Sequence, residues 1–271
     1  MKTSERRWSA GRLRSHWDTR ARAFRPFTNS PTTQYYFRDE QRLFRTHFGD
    51  LAGKRLLKLD LWNDLHNTRI LAWAARQGAA THALDISEFV VRGAARTFAE
   101  DGLTPRFVLA DCRQIPFADR SFDHVYTMGT IEHFDDWEHA LSEIRRVLVP
   151  GGTAVIGVPN RFDPFLRPAI VAVLSWFGLY PYAPERSFGM GALARAIRAA
   201  GLVVEARDGI LFYPALLRMA DVWLHQRVPL LCRAFVPTIW PFEALARRFE
   251  PFRRRGYLIC CRARRPREDL T

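Results

Sequence analysis

The chain has 271 residues, 48% hydrophobic and 25% charged, which excludes a disordered protein and allows one large α/β domain with elaborations or at most two small ones. Its formal charge of +13, from 41 basic against 28 acidic residues, attracts anions: nucleic acid, anionic lipid head groups or acidic small molecules. The charge is almost all arginine, since Lys2, Lys54 and Lys58 are the only lysines. It gathers near the start (Arg6, Arg7, Arg12, Arg14, Arg20, Arg22, Arg25) and near the end (Arg247 to Arg267). Cys112, Cys232, Cys260 and Cys261 lack zinc-ligand spacing and read as reduced, mostly buried thiols, with no metal site expected. The N-terminus has no apolar leader core, and the longest apolar run, Ala169 to Tyr180, is too short for a bilayer. The expectation is a cytoplasmic protein.

Residues 1–50 are basic and aromatic, with Trp8, Trp17, Phe24, Phe27, Tyr35, Tyr36 and Phe37, and read as a cap segment ahead of the domain proper at 51–271. A helix is expected over Asp39–Phe48. From Lys54 the chain alternates regularly: strands at Arg55–Leu61, Ala80–Ile86, Arg106–Ala110, Phe122–Met128 and Thr153–Val158, with helices at Thr68–Arg76, Ser87–Glu100 and Trp137–Leu148 between them. Pro150, Gly151 and Gly152 should break the last of these helices, ahead of the fifth strand. Strands and helices at this spacing mean a parallel sheet covered on both faces. A helix at Ala192–Ala200, a strand at Val203–Phe212 and a last strand at Tyr257–Arg262 follow, separated by apolar, aromatic inserts at about 162–188 and 213–249.

In an open parallel sheet the ligand lies at the carboxyl ends of the strands. The first strand here runs into Asp60 and then Asn63, the second into Asp85 and Ile86, the third into Asp111 and Cys112, and the fourth into Met128, Gly129, Glu132 and His133. Three successive acid-ended strands suit an adenosine-bearing ligand: one carboxylate for the ribose hydroxyls, one for an exocyclic amine, one for an ammonium. The alternative is that such acids only cap the following helices.

Over Lys54–Asn160 the chain resembles the class I S-adenosylmethionine-dependent methyltransferase domain in its small-molecule "type 11" form. The matching pieces are Ala83–Ser87, Ala110–Phe117, Ser121–Val125, Glu132–Phe134 and Leu148–Gly152, in the right order and spacing. The resemblance implies a Rossmann-like, doubly wound, mostly parallel seven-stranded sheet with an antiparallel last strand. It implies S-adenosyl-L-methionine as cofactor, with Asp85 at the ribose, Asp111 and Cys112 bordering the adenine, and Met128 and Gly129 at the methionine end. One departure stands out. The family's first loop is glycine-rich, whereas here it reads Asp60-Leu61-Trp62-Asn63-Asp64-Leu65-His66-Asn67-Thr68, with no glycine. Asn63 and Asp64 tolerate positive φ best after glycine and are the expected turn formers. Lys58 is an alternative occupant of the acidic position, and Asp60 the better one for a cationic ligand. If the loop has lost its cofactor, the chain is a non-catalytic binding protein on this fold.

Methyl transfer from a sulfonium needs a positioned acceptor and a dry site, helped by a base when the acceptor is a hydroxyl or a protonated amine. His133 is the candidate base, with Glu132 beside it; the alternative is that both are structural. The aromatic inserts suit a small hydrophobic, lipid-like acceptor, and the flanking arginines suit peripheral contact with an anionic membrane. An RNA methyltransferase is the other reading of the charge, but no Asn/Asp-Pro-Pro-aromatic tetrapeptide is present, so no specific nucleic acid is expected.

Overall fold

The computed structural model describes residues 8–267, so Lys2, Arg6 and Arg7 of the basic N-terminal cluster lie outside the described residues. Its centre is a seven-stranded sheet in the order β3-β2-β1-β4-β5-β7-β6. The strands are β1 (Arg55–Lys58), β2 (Ala80–Asp85), β3 (Arg106–Leu109), β4 (Phe122–Met128), β5 (Leu148–Pro159), β6 (Val203–Ile210) and β7 (Leu258–Arg264). β1 to β5 pair in parallel, and β7 runs antiparallel to both β5 and β6. The expected sheet, antiparallel last strand included, is the observed one.

β1 shows why the inner strands read as mostly apolar runs. Leu57 faces one core with Val125, Ile144, Leu148 and Ile197, while Leu56 faces a second core with Phe44, Ala83, Phe98 and Tyr126. A strand covered on both sides has no polar face to display. The helices that supply the covers follow their sequence cues. α5 (Glu88–Glu100) starts at the Ser87 hydroxyl, which accepts from the Val90 N–H at 3.2 Å. α6 (Trp137–Val147) buries Ala140, Leu141, Ile144 and Val147.

Several boundaries differ from expectation. Before the sheet lie α1 (Ala10–Ala23) and α2 (Pro31–His47), and α2 begins eight residues earlier than the apolar pattern suggested. Its start is a cap signal, not a hydrophobic one: Ser30 accepts from the Thr33 N–H, and Pro31 occupies the first helical position. α6 ends at Val147, ahead of Pro150-Gly151-Gly152 as expected, but β5 starts at Leu148 and carries the triplet within it, because Gly151 takes φ +82° and the Gly151 N–H bonds to the Arg265 carbonyl next to β7. The first loop forms a short helix, α3 (Trp62–His66), and α4 (Ile70–Arg76) follows only after Arg69 turns the chain at φ 57°. The inserts fold as α7 (Arg167–Trp176) before α8 (Met190–Ala199), then α9 (Ala215–His225), a 3₁₀ stretch (Pro229–Phe235) and α10 (Val236–Arg248). α7 packs against α9, and α10 against α2, while α1 lies along α5. Among the described residues no helix is long and apolar enough to cross a membrane.

Candidate active site

One cavity of about 750 Å³ opens at the carboxyl ends of β1, β2 and β4. That is in the upper part of the roughly 300–1,000 Å³ usual for small-molecule sites. Asp60, Asn63, Asp85, Ile86, Cys112, Met128, Gly129, Glu132 and His133 all line it. Asp111 does not. Its carboxylate is clamped by Arg113 two residues on, whose Nη2 lies 2.6 Å from Oδ2 and whose backbone N–H lies 2.9 Å from Oδ1. The expected acidic contact at the adenine is therefore withdrawn into a local ion pair, and Ala110 and Cys112 face the cavity in its place.

Asp85 keeps its position. Its Oδ2 accepts from the Leu61 N–H and its Oδ1 from the Ser87 N–H, both at 2.8 Å. Burial pushes its pKa up to about 6 against those two hydrogen bonds. Each oxygen retains a lone pair, so the carboxylate can still accept from a diol in the cavity. Leu84, Ile86, Ala110 and Cys112 form the apolar wall around it.

Between the two candidates at β1, the structure separates the roles. Lys58 is completely buried, and its ammonium binds the Asp60 carbonyl and Oδ1 at 2.8 Å and Asp64 Oδ2 at 3.0 Å. Asp60, not Lys58, reaches the cavity, with its other oxygen accepting from the Thr130 hydroxyl at 3.1 Å. The same lysine explains the glycine-free loop. Asp64 is drawn inward by Lys58, and its Oδ1 accepts from the Leu71 N–H at 2.9 Å, at the start of α4. Asn63 and Asp64 thus sit in a helical turn and not in the positive-φ turn expected of them; Arg69 takes the positive φ. The helical turn projects Trp62 and Asn63 at the cavity where a glycine loop would project backbone.

At the end of β4, Met128 packs against Gly157, where an added Cβ would sit 2.1 Å from the Met128 sulfur. Gly129 adopts φ +83° and donates to the Gly157 carbonyl at 3.0 Å. Glu132 is 4% exposed, and one of its carboxylate oxygens, Oε2, has no hydrogen-bond partner. Burial, then the nearby Glu185, push its pKa well above the usual carboxylate range. His133 Nδ1 lies 3.0 Å from the Pro184 carbonyl, which can only accept, so Nδ1 carries the proton. Burial holds the imidazole neutral, leaving Nε2 with a lone pair 3.9 Å from Glu132 Oε1.

The remaining wall comes from residues without sequence motifs. Trp17, Phe24 and Phe27 of the N-terminal segment, Leu174 to Tyr182 of the first insert, and Leu216 to Arg227 of the second close over the strand ends. Asp18 fixes the N-terminal segment in place by accepting from the Ser87 hydroxyl and, at 3.1 Å, the Phe89 N–H. Two buried arginines also face the cavity. Arg167 forms a two-pronged pair with Glu185 at 2.6 and 3.1 Å; Arg218 is held by Thr32, Thr33 and Asn67.

The Asp85 and Asp60 carboxylates, the apolar wall of Leu84, Ile86, Ala110 and Cys112, and an unpartnered buried oxygen fit the cofactor that the sequence resemblance implies. Comparisons with known proteins agree. A family model described as a methyltransferase domain matches residues 67–156. The chain is 34% identical over 147 residues to a demethylmenaquinone methyltransferase of Thermus thermophilus, covering 49% of this chain and 66% of that protein, just under two thirds of its length. It is 25% identical over 226 residues to a ubiquinone biosynthesis O-methyltransferase of Chelativorans sp., covering 79% and 85%. Among solved structures, a phosphoethanolamine N-methyltransferase 2 of Haemonchus contortus in complex with S-adenosyl-L-methionine superposes with TM-score 0.60 at 15% identity, covering 85% of this chain and 53% of that one. That likeness is one of fold.

Proposed function

The chain carries a class I S-adenosylmethionine-dependent methyltransferase domain, and from that premise we propose that the protein methylates a small, hydrophobic, lipid-like acceptor. The observation that carries the reading is the single cavity: Asp60 and Asp85 at one end are continuous with a wall of Trp17, Phe24, Leu174, Tyr182, Leu216 and Trp223 at the other. The relatives named for quinone biosynthesis support an acceptor of that kind.

In this reading Asp85 accepts the cofactor's ribose hydroxyls, while Leu84, Ile86, Ala110 and Cys112 flank its adenine. Asp60 faces its ammonium, and Asn63, Met128 and Gly129 border its methionine end. When bound, S-adenosylmethionine supplies an electrophilic methyl group for in-line displacement. The protein's part is to align the acceptor and exclude water. The aromatic cap does the second. His133 Nε2, neutral and unprotonated, takes the proton from an acceptor hydroxyl, and the Pro184 carbonyl stabilises the resulting imidazolium through Nδ1–H. Glu132, whose carboxyl burial keeps protonated, lies 3.9 Å from Nε2 and helps hold the ring in place.

Acceptor entry follows from the surface around the cavity. Trp176 is 88% exposed, Leu179 68%, Leu216 61% and Trp223 56%, and the last three also line the cavity. An apolar surface continuous with an apolar pocket on a chain of charge +13 fits an anionic bilayer from which the acceptor passes directly inward.

Incubation with a bacterial lipid extract and trideuteromethyl-labelled S-adenosylmethionine, followed by mass spectrometry, tests the proposal. A labelled apolar product that Asp85→Ala does not make is expected. Label found only in water-soluble species would overturn the acceptor class. Sedimentation with phosphatidylglycerol vesicles, reduced for Trp176→Asp, tests the entry route.

A further inference from the structure

Arg218 lines the acceptor half of the cavity and is nine-tenths buried. Among the described residues it pairs with no carboxylate. Nη1 donates to the hydroxyls of Thr32 and Thr33, the latter at 2.9 Å, and Nη2 to Asn67 Oδ1 at 3.3 Å. These neutral oxygens orient the guanidinium without cancelling its charge. Asp221 on the same helix reaches Arg218 only through the shared Thr32 hydroxyl, accepting from Ser30 Oγ at 2.6 Å and from Thr32 through its N–H at 3.0 Å and its hydroxyl, and its charge offsets part of the cost of burying the guanidinium. The other buried arginine of the cavity, Arg167, shows the contrast, for Glu185 neutralises it at two points. Burial accordingly drives the Arg218 pKa down, whereas that of Arg167 is driven up by its anionic and phenolic neighbours.

A buried cation with no acid in direct contact is costly, and an anion brought by a ligand lowers the cost. The guanidinium geometry is suited to a planar pair of oxygens. Tyr36, Tyr182 and Tyr257 line the same region and add hydroxyl donors. We propose that Arg218 is the anchor for an anionic oxygen head on the acceptor, a carboxylate or phenolate borne on an apolar body. The inference rests on the lipid-like acceptor reading and narrows it to acids and ionisable phenols. The surface arginines do not account for such a preference, because their field is screened by salt while a buried contact is screened far less.

The test compares dodecanoate with dodecanol, one anionic and one neutral amphiphile of equal chain length. Binding is followed through the fluorescence of Trp17, Trp62 and Trp223 at the cavity wall, in low salt and in molar salt, with S-adenosylmethionine titrated in parallel. Wild type is expected to bind dodecanoate at least about tenfold more tightly than dodecanol in both salts. Arg218→Gln is expected to bring the two within about twofold while cofactor binding stays intact. Equal wild-type affinities in molar salt would overturn the anchor and leave the lipid-like acceptor standing. Wild type binding neither amphiphile would overturn both. A preference that survives in folded, cofactor-binding Arg218→Gln would assign the anion to another group and refute the role of Arg218. Should Arg218→Gln not fold, the wild-type comparison in molar salt decides.

Discussion

Lys58 is the residue whose removal most sharply tests how the glycine-free loop is built. Its ammonium is fully buried and touches two carboxylates, at 2.8 Å for Asp60 and 3.0 Å for Asp64. At about 3 Å and an effective dielectric near 20, each attraction is roughly 5–6 kcal/mol before the cost of desolvating the lysine and the repulsion between the two acids are subtracted. The net effect of deleting one partner of such a buried set is about 3–5 kcal/mol. In Lys58→Met, Asp64 remains completely buried with no cation, and Asp60 loses its orienting partner. Thermal unfolding followed by circular dichroism should show a fall on the order of 10 °C. Asp64→Asn keeps the oxygen that accepts from the Leu71 N–H while removing the stranded charge. The double variant Lys58→Met/Asp64→Asn should therefore recover most of the loss. A single variant melting within about 2 °C of wild type, or a double variant no better than the single, would refute the view that Lys58 replaces the glycine turn with an ion-pair anchor.

Three further outcomes are expected. Asp85 has a folded pKa of about 6, above its unfolded value, so its ionisation lowers stability as pH rises through 6, and a ligand that donates hydroxyls to the ionised form offsets this. Cofactor affinity should then weaken about tenfold between pH 7.5 and pH 5 by calorimetry, while Asp85→Asn binds weakly with little pH dependence. His133→Gln should lower turnover by about 10²–10⁴ with a hydroxyl acceptor while leaving cofactor affinity unchanged; an unchanged rate would assign His133 a packing role. Gly157→Ala drives a methyl group into Met128, whose sulfur would be 2.1 Å away, and should cost about 1–3 kcal/mol in denaturant unfolding. Adding Met128→Ala should restore part of that, and no restoration would place the clash elsewhere.

The alternation of strands and helices was legible because the inner strands are mostly apolar and the main covering helices, such as α5 and α6, carry a cap or a periodic stripe. The Asp85 position was legible for the same reason that fixes it in space, namely its place at the end of a central strand. Other features depend on partners that no local pattern reveals. Asp111 looks equivalent to Asp85 in sequence, yet Arg113 curls back on it. Asp64 looks like a turn residue, yet Lys58 from the adjacent strand draws it inward. Lys58 itself is an anomaly in an apolar run, and that anomaly was the available signal for a buried ion pair. The start of α2 was written in Ser30-Pro31, a capping signature masked by the search for hydrophobic periodicity. Arg218 and Arg167 carried no signal, because their meaning comes from elements brought together across the whole chain: Thr32 and Asn67 for one, Glu185 for the other.

The most direct measurement is calorimetric titration of S-adenosylmethionine into the purified chain, with Asp85→Ala alongside. Micromolar binding that Asp85→Ala loses is the predicted result, and it would establish that a lysine-anchored helical turn does the work of a glycine loop. No heat at millimolar ligand, with the protein folded, would contradict the account and leave a methyltransferase fold that does not hold the methyl donor.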